Sequence, residues 1–336
     1  MLQLHFMSLR ATTIVSKAMM WATLLTARAV NVMARPLAMI SLSMSIKTFQ
    51  VSVSSESYSA PLTTHAGLYI VPSVLPPKTQ MALLSRLVHR DLSDERHNSN
   101  LHLHHHVPYP PPNNTGHVFP VVEGQDEADP YSRSFFTYPP SSPVQFMPKD
   151  PTVHRSLLIS QVLSKKLRWI TLGGQYDWTN KRYPAETVPL FPRDIADLME
   201  GFFPEVRAQA AIVNFYSPGD TLSMHRDVSE ECDRGLISLS LGCDAIFVVG
   251  IGEDGRWMKH LTMRLRSGDA VYMSGQARFA WHGVPKIIAN TCPDWLRDWP
   301  APSREERGPS EGDVFEPWRG WMASKRVNLN IRQMHD

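Results

Sequence analysis

The seven residues Arg326-Val-Asn-Leu-Asn-Ile-Arg332 alternate without a break between polar and aliphatic side chains. A period of two belongs to an extended strand: Val327, Leu329 and Ile331 share one face, and Arg326, Asn328, Asn330 and Arg332 share the other. An ordinary amphipathic strand turns such a face to water, where arginine has no advantage over lysine. Both cations here are arginine, whose planar fork suits bidentate carboxylate binding. The strand lies near the end of the sequence, the place for the closing strand of a barrel.

A second pattern supplies chemistry. His225 and Asp227 are two residues apart, so on an extended chain their side chains point the same way. His282 lies 55 residues beyond Asp227 and has to come from another strand. Two neighbouring ligands and one distant one cover a single face of a metal and leave the other face open. That is the 2-His-1-carboxylate arrangement of non-haem Fe(II) oxygenases, which need open positions for a co-substrate and O2. Zinc favours a closed tetrahedron, often with cysteine, and none of Cys232, Cys243 and Cys292 falls in this spacing. An isolated His-x-Asp is more often a surface or core pair; here the strand Ala211–Tyr216 and the turn Ser217-Pro-Gly-Asp220 lead into it.

Short strands with Gly and Pro turns fill the second half of the chain: 211–216, 235–241, 245–250, 260–266, 270–273, 279–284 and 326–333. Ser267-Gly-Asp269 reads as a hairpin turn. Before them come a first strand, Gly67–Val71, a helix over Pro77–Arg90 and a second helix over Pro189–Phe203. The pattern predicts a mainly β, α+β domain: a double-stranded β-helix (jelly roll) core with N-terminal supporting helices.

At this point the residues resemble a family. Asn214-Phe-Tyr216-Ser-Pro-Gly, His225-x-Asp227, His282 and Arg326-x-Asn328-x-x-x-Arg332 are similar to the AlkB family of Fe(II)/2-oxoglutarate dioxygenases, over about residues 67–334. Leu167-Arg-Trp-Ile-Thr-Leu-Gly173, Tyr176-Asp-Trp178 and the terminal Arg332-Gln333 resemble the eukaryotic AlkB homologue 1 branch. The resemblance implies that His225, Asp227 and His282 bind Fe(II), and that Asn214, Tyr216, Arg326, Asn328 and Arg332 hold 2-oxoglutarate. It implies O2 as co-substrate and a substrate lid at Trp169, Gly174, Gln175, Tyr176 and Trp178. The implied reaction is oxidative demethylation of N-methylated nucleobases, in RNA or by DNA repair, releasing formaldehyde, succinate and CO2. Methyladenine in tRNA or mRNA is the first expectation. An oxygenase acting on a protein side chain and a non-catalytic iron or 2-oxoglutarate sensor are the alternatives.

The region 165–183 carries its own signal. Lys165, Lys166, Arg168, Lys181 and Arg182 interleave with Trp169, Tyr176, Trp178 and Tyr183, with Asp177 as the one acid. Basic residues contact phosphates and aromatic rings stack bases. A plain β-hairpin with buried Trp and solvated Lys is the competing reading. The net charge over 336 residues is only +2, so a nucleic-acid surface has to be local.

Apolar and charged contents of 43% and 20% are globular values. Three cysteines without a C-x-x-C pair argue for a reducing, intracellular compartment: nucleus, cytoplasm or mitochondrion. Residues 1–60 form a separate segment, and Glu56 is the first acid in the chain. Its first 50 residues bear arginines and no acid, the composition of a transit peptide or of sequence upstream of a later start. Its longest apolar run, Ala18–Ala27, is too short to span a bilayer. The dioxygenase domain is expected over 67–335, with a Pro-rich loop at 95–152 and a surface insert at 290–324. The expected partner is nucleic acid, with no membrane, and the expected state is a monomer.

Overall fold

Alternating strand sequences in this chain do form strands, and their register sets which side chains meet. The structure, a computed structural model, describes residues 67–111, 133–177, 183, 189–253, 256–301 and 314–336, all within one compact unit. The expectations for residues 1–60, and for Trp178, Lys181 and Arg182, lie outside the described residues. In chain order the strands are β1 (Leu68–Val71), β2 (His105–His106), β3 (Gln145–Pro148), β4 (Leu157–Leu158), β5 (Trp169–Gly173), β6 (Ala210–Tyr216), β7 (Leu222–His225), β8 (Leu236–Gly242), β9 (Ala245–Glu253), β10 (Arg256–Leu265), β11 (Ala270–Met273), β12 (Trp281–Ile287) and β13 (Arg326–Arg332). The two longest helices among the described residues, α1 (Pro77–Ser85) and α2 (Arg193–Phe202), accompany them.

A six-stranded sheet runs β1-β11-β8-β13-β6-β5 and a four-stranded sheet runs β10-β9-β12-β7. Every pairing is antiparallel. From β6 onward the chain crosses between these sheets, interrupted only by the β9–β10 hairpin: β6 large, β7 small, β8 large, β9 and β10 small, β11 large, β12 small, β13 large. That winding is the double-stranded β-helix.

The large sheet is buried on both faces. On one face Val213, Ile237, Leu239, Leu241, Val327, Leu329 and Ile331 are at most 1% exposed. They join one apolar core with Leu83, Leu84, Leu87, Ile195, Leu198 and Met199 of the helical segments. Pro77 opens α1, where its missing N–H costs nothing. The helix then continues as a wider turn, Arg86–Arg90. The second helix starts at Arg193, later than Pro189, because the prolines at 189 and 192 disfavour helix in the residues before them. Arg86 and Arg90 both reach Asp194 of α2, at 2.7 and 2.8 Å, and tie the helices together.

The other face of the large sheet is the polar one. Cross-strand register places Gly242, Arg326 and Tyr216 in one row and Ser240, Asn328 and Asn214 in the next. Glycine and serine on β8 leave room for the bulky groups of β13. Ser267-Gly268-Asp269 makes the expected turn, with Gly268 at φ +88°, a left-handed conformation suited to glycine.

Two expected loops carry structure in their described parts. Within 95–152, β2 and β3 pair, and β3 pairs β4. Phe135, Phe136 and Phe146 from this segment are buried. Within 290–324, Trp299, Phe315, Trp318 and Trp321 are buried, so the insert is not simply a surface loop. Their size is the reason: large aromatic groups gain most by leaving water. Phe136 meets Trp299, Trp318 and Trp321 edge-on, with centroids 5.1 to 5.5 Å apart. Each indole N–H finds an acceptor: Ser85 Oγ for Trp299, the Tyr138 carbonyl for Trp318 and the Leu163 carbonyl for Trp321. Two histidines of 101–106 are likewise engaged: His102 bonds Tyr109, and His105 bonds the Arg155 carbonyl.

Candidate active site

Strands β7 and β12 pair so that His225 lies directly opposite His282. Their rings are 4.4 Å apart, and Asp227 follows two residues after His225. One nitrogen from each histidine and one carboxylate oxygen lie within 4.8 Å of one another. Among the described residues this is the one such group of three or more His, Cys, Asp or Glu. Asp227 Oδ1 is 3.7 Å from His225 Nε2, and its Oδ2 is 3.7 Å from His282 Nε2.

The backbone sets both imidazole tautomers. His225 Nδ1 lies 3.0 Å from the Ser223 carbonyl, and His282 Nδ1 lies 3.0 Å from the Ala280 carbonyl. A carbonyl only accepts, so each Nδ1 carries the proton and each Nε2 keeps its lone pair for a metal. Burial pulls the His282 imidazolium down, against the pull of Asp227, which favours a neutral ligand. Burial pushes the Asp227 carboxyl up, but neighbouring positive charge, that of Arg332 foremost, outweighs it and holds the group below the usual carboxylate range. Two imidazoles and one carboxylate form a donor set that fits Fe(II). His225 is the most open of the three side chains at 36%, against 9% for His282, so the site opens on that side.

Next to the triad is the arginine face of β13. Arg326 is 1% exposed. Its Nη2 donates to Ser240 Oγ at 3.0 Å, and its carbon centre lies 5.5 Å from the middle of the Tyr216 ring. Nε and Nη1 of Arg326 are buried and lack hydrogen-bond partners. Burial pulls its guanidinium pKa down, and a buried cation left so costs several kcal/mol, on the order of the penalty for an unpaired ion. A carboxylate from a small acid would satisfy both free N–H groups, so the pocket fits 2-oxoglutarate on its own chemistry.

The remaining expected co-substrate residues divide. Arg332 gives Nη2 to Asp227 Oδ2 at 3.2 Å and Nη1 to Glu230 at 3.1 Å, leaving Nε buried without a partner. Asn328 commits its amide: Nδ2 donates to Ser238 Oγ and the Leu239 carbonyl, and Oδ1 accepts from Asn330. It braces β13 against β8. Asn214 faces Asn328 in register and Trp169 on its other side.

The lid residues divide as well. Gly174 is a packing position, since a Cβ there would lie 2.2 Å from Met334 Sδ. Gln175 ties its own turn, bonding Thr171, the Asn98 amide and the Gly173 carbonyl. Tyr176 reaches the loop after Asp227: its hydroxyl is 3.3 Å from Ser229 Oγ, and its ring meets Tyr183 edge-on. Tyr183 in turn accepts from Arg332. Arg168 pairs with Asp220 at 2.7 Å, while Lys165 and Lys166 are exposed.

Sequence reasoning missed Ser238, Ser240, Glu230 and Arg278. The two serines had a signal, polar positions on the alternating strand Leu236–Leu241. Glu230 and Arg278 had none, since charged residues near a turn are ordinarily solvated.

A facial triad on the small sheet of a β-helix, beside a buried guanidinium with free donors, defines a mononuclear non-haem iron oxygenase that uses an oxo-acid co-substrate. The profile of the 2OG-Fe(II) oxygenase superfamily matches residues 67–332. The chain belongs to that superfamily, in its AlkB homologue 1 branch, and is an Fe(II)- and 2-oxoglutarate-dependent dioxygenase. It is 50% identical to the "N6-methyladenosine RNA demethylase ALKB1" of Pyricularia oryzae, over 82% of this chain and 78% of that one. It is 54% identical to the "N6-methyladenosine RNA demethylase ALKBH" of Cryphonectria parasitica, over 70% of this chain and all of that one. With the "tRNA demethylase abh1" of Schizosaccharomyces pombe it shares 46% identity, over 54% of this chain and 57% of that one. No helix among the described residues is long and apolar enough to cross a membrane.

Proposed function

We propose that this dioxygenase removes the methyl group of N6-methyladenosine in RNA, tRNA included. The observation that carries the reading is the pair of fungal relatives named for that reaction, at 50% and 54% identity over most of this chain. Residues 67–335 form the catalytic domain, acting as a monomer in a reducing intracellular compartment.

His225, Asp227 and His282 hold Fe(II). Arg326 takes one carboxylate of 2-oxoglutarate on its free Nε and Nη1, with the Tyr216 ring beneath the guanidinium. Arg332 holds Asp227 in place. With iron and 2-oxoglutarate bound, the centre couples decarboxylation to succinate and CO2 with hydroxylation of the N-methyl carbon by O2. The hydroxymethyl product then releases formaldehyde and returns the amine. Tyr176 and Tyr183 pack edge-on beside Arg332, and an unpaired base can lie against such an aromatic ring. A base inside a duplex cannot reach the triad, so the target nucleotide is single-stranded or flipped.

The test is formaldehyde and succinate release from the purified protein with Fe(II), ascorbate and 2-oxoglutarate. The substrates are N6-methyladenine and N1-methyladenine oligonucleotides, each as RNA and as DNA. Release driven by N6-methyladenine RNA and absent in Asp227→Ala supports the reading. Succinate that no oligonucleotide stimulates moves the substrate to protein.

A further inference from the structure

We propose that Glu230 and Arg278 are positioning residues of the metal centre, a buried ion pair that sets both the backbone and the carboxylate of Asp227. This rests on Asp227 being a metal ligand, as proposed above.

The two side chains are each 1% exposed and meet at 2.7 Å. Arg278 belongs to the turn Gly275–Phe279 just before β12, the strand of His282. Glu230 lies in the loop that follows Asp227. The pair therefore joins the two elements that supply the ligands.

Its hydrogen bonds close a ring. Arg278 Nη1 donates to the Asp227 carbonyl at 2.6 Å, and Nη2 donates to Glu230 Oε2. Glu230 Oε1 accepts from Arg332 Nη1 at 3.1 Å, and Arg332 Nη2 returns to Asp227 Oδ2 at 3.2 Å. One residue is thus gripped at its backbone and at its side chain by two guanidinium groups, and one carboxylate fixes the distance between them. Arg278 Nε also holds the Arg234 carbonyl at 2.9 Å, which pins the far end of the loop. Charges alternate along the chain, Arg278, Glu230, Arg332, Asp227, so each buried ion is balanced by a neighbour.

A loop staple alone would not need this arrangement. Buried ion pairs add little net stability over apolar packing of the same volume. Partners that orient a metal ligand, by contrast, typically change metal affinity about 10- to 100-fold when altered.

Cobalt(II) titration of the full-length protein tests the proposal, with affinity and the visible d–d spectrum as readouts and thermal melting alongside. Glu230→Gln keeps the shape and removes the charge; Arg278→Lys keeps the charge and loses the fork. Each should bind Co(II) about 10- to 100-fold more weakly, with an altered spectrum, while still melting cooperatively. Wild-type affinity and spectrum in a folded variant overturn the proposal. If one variant does not fold, the other decides; if neither folds, the pair serves the fold and the proposal fails. Asp227→Ala binding Co(II) like the wild type would instead overturn the ligand set.

Discussion

Arg332 and Asp227 are joined at 3.2 Å, so the last residue of β13 in the large sheet grips a carboxylate carried by the loop after β7 of the small one. The bond links the arginine face to the triad, and both partners are largely buried, at 5% and 16% side-chain exposure. Burial pulls the Arg332 guanidinium pKa down, but Asp227, Tyr183 and Glu230 outweigh it and raise it. The cation is therefore permanent at any working pH.

Arg326 and Arg332 carry different duties, and lysine separates them. In Arg326→Lys the fork is lost and one ammonium remains near Ser240. The KM for 2-oxoglutarate should rise about tenfold or more, equivalent to roughly 1.4 kcal/mol, with the melting temperature nearly kept. An unchanged KM would show that this guanidinium does not meet the co-substrate.

Asn328 shares that face yet should behave as a brace. Asn328→Ala removes donors from Ser238 and the Leu239 carbonyl and an acceptor from Asn330. A stability loss of about 1–3 kcal/mol is expected in urea unfolding. The KM for 2-oxoglutarate should move less than in Arg326→Lys; the reverse order would make Asn328 a co-substrate ligand.

Gly174 should answer to packing as well. In Gly174→Val the new side chain meets Met334 and Ala210, costing about 1–3 kcal/mol of stability. The ratio of rates on N6-methyladenine and N1-methyladenine RNA should stay constant. A changed ratio with unchanged stability would return the residue to the substrate lid.

His89 predicts an acid limb. It is buried against Phe136, Trp299 and Phe315, and burial pulls its imidazolium from 6.5 down to about 3. The unfolded chain therefore takes up a proton before the folded one. The contribution is complete above pH 6.5 and is lost as pH falls from 6.5 toward 3, by at most about 1.4 kcal/mol per pH unit. His89→Phe should flatten this slope in pH-dependent melting. An identical slope would assign acid loss to other groups.

Much of the fold could be read from local pattern. Most strand positions in the second half follow from alternation and turn residues, because each side chain's face depends only on its neighbours; β7 was not among them, and the strand expected from residue 279 begins at Trp281, after the turn Gly275–Phe279. The helix ends were less legible: Pro189 and Pro192 restrict the residues before them, and Arg86–Arg90 widens into a turn that hydrophobic spacing does not register. The aromatic cluster of Trp299, Phe315, Trp318 and Trp321 read as a surface insert because its partner, Phe136, lies far away in sequence.

Residue type and spacing alone determined the chemistry: His225-x-Asp227, a distant histidine, and a strand whose polar residues were arginine rather than lysine. Such features are legible in a sequence because ligand type and strand periodicity are local. Tertiary structure decided which polar groups remain free. Arg326 and Asn328 share one face of β13, yet Ser238 and the Leu239 carbonyl consume the amide while Nε and Nη1 of the guanidinium stay unpaired. It also decided that Glu230 and Arg278 meet behind Asp227, since an ion pair forms only where folding removes both charges from water together.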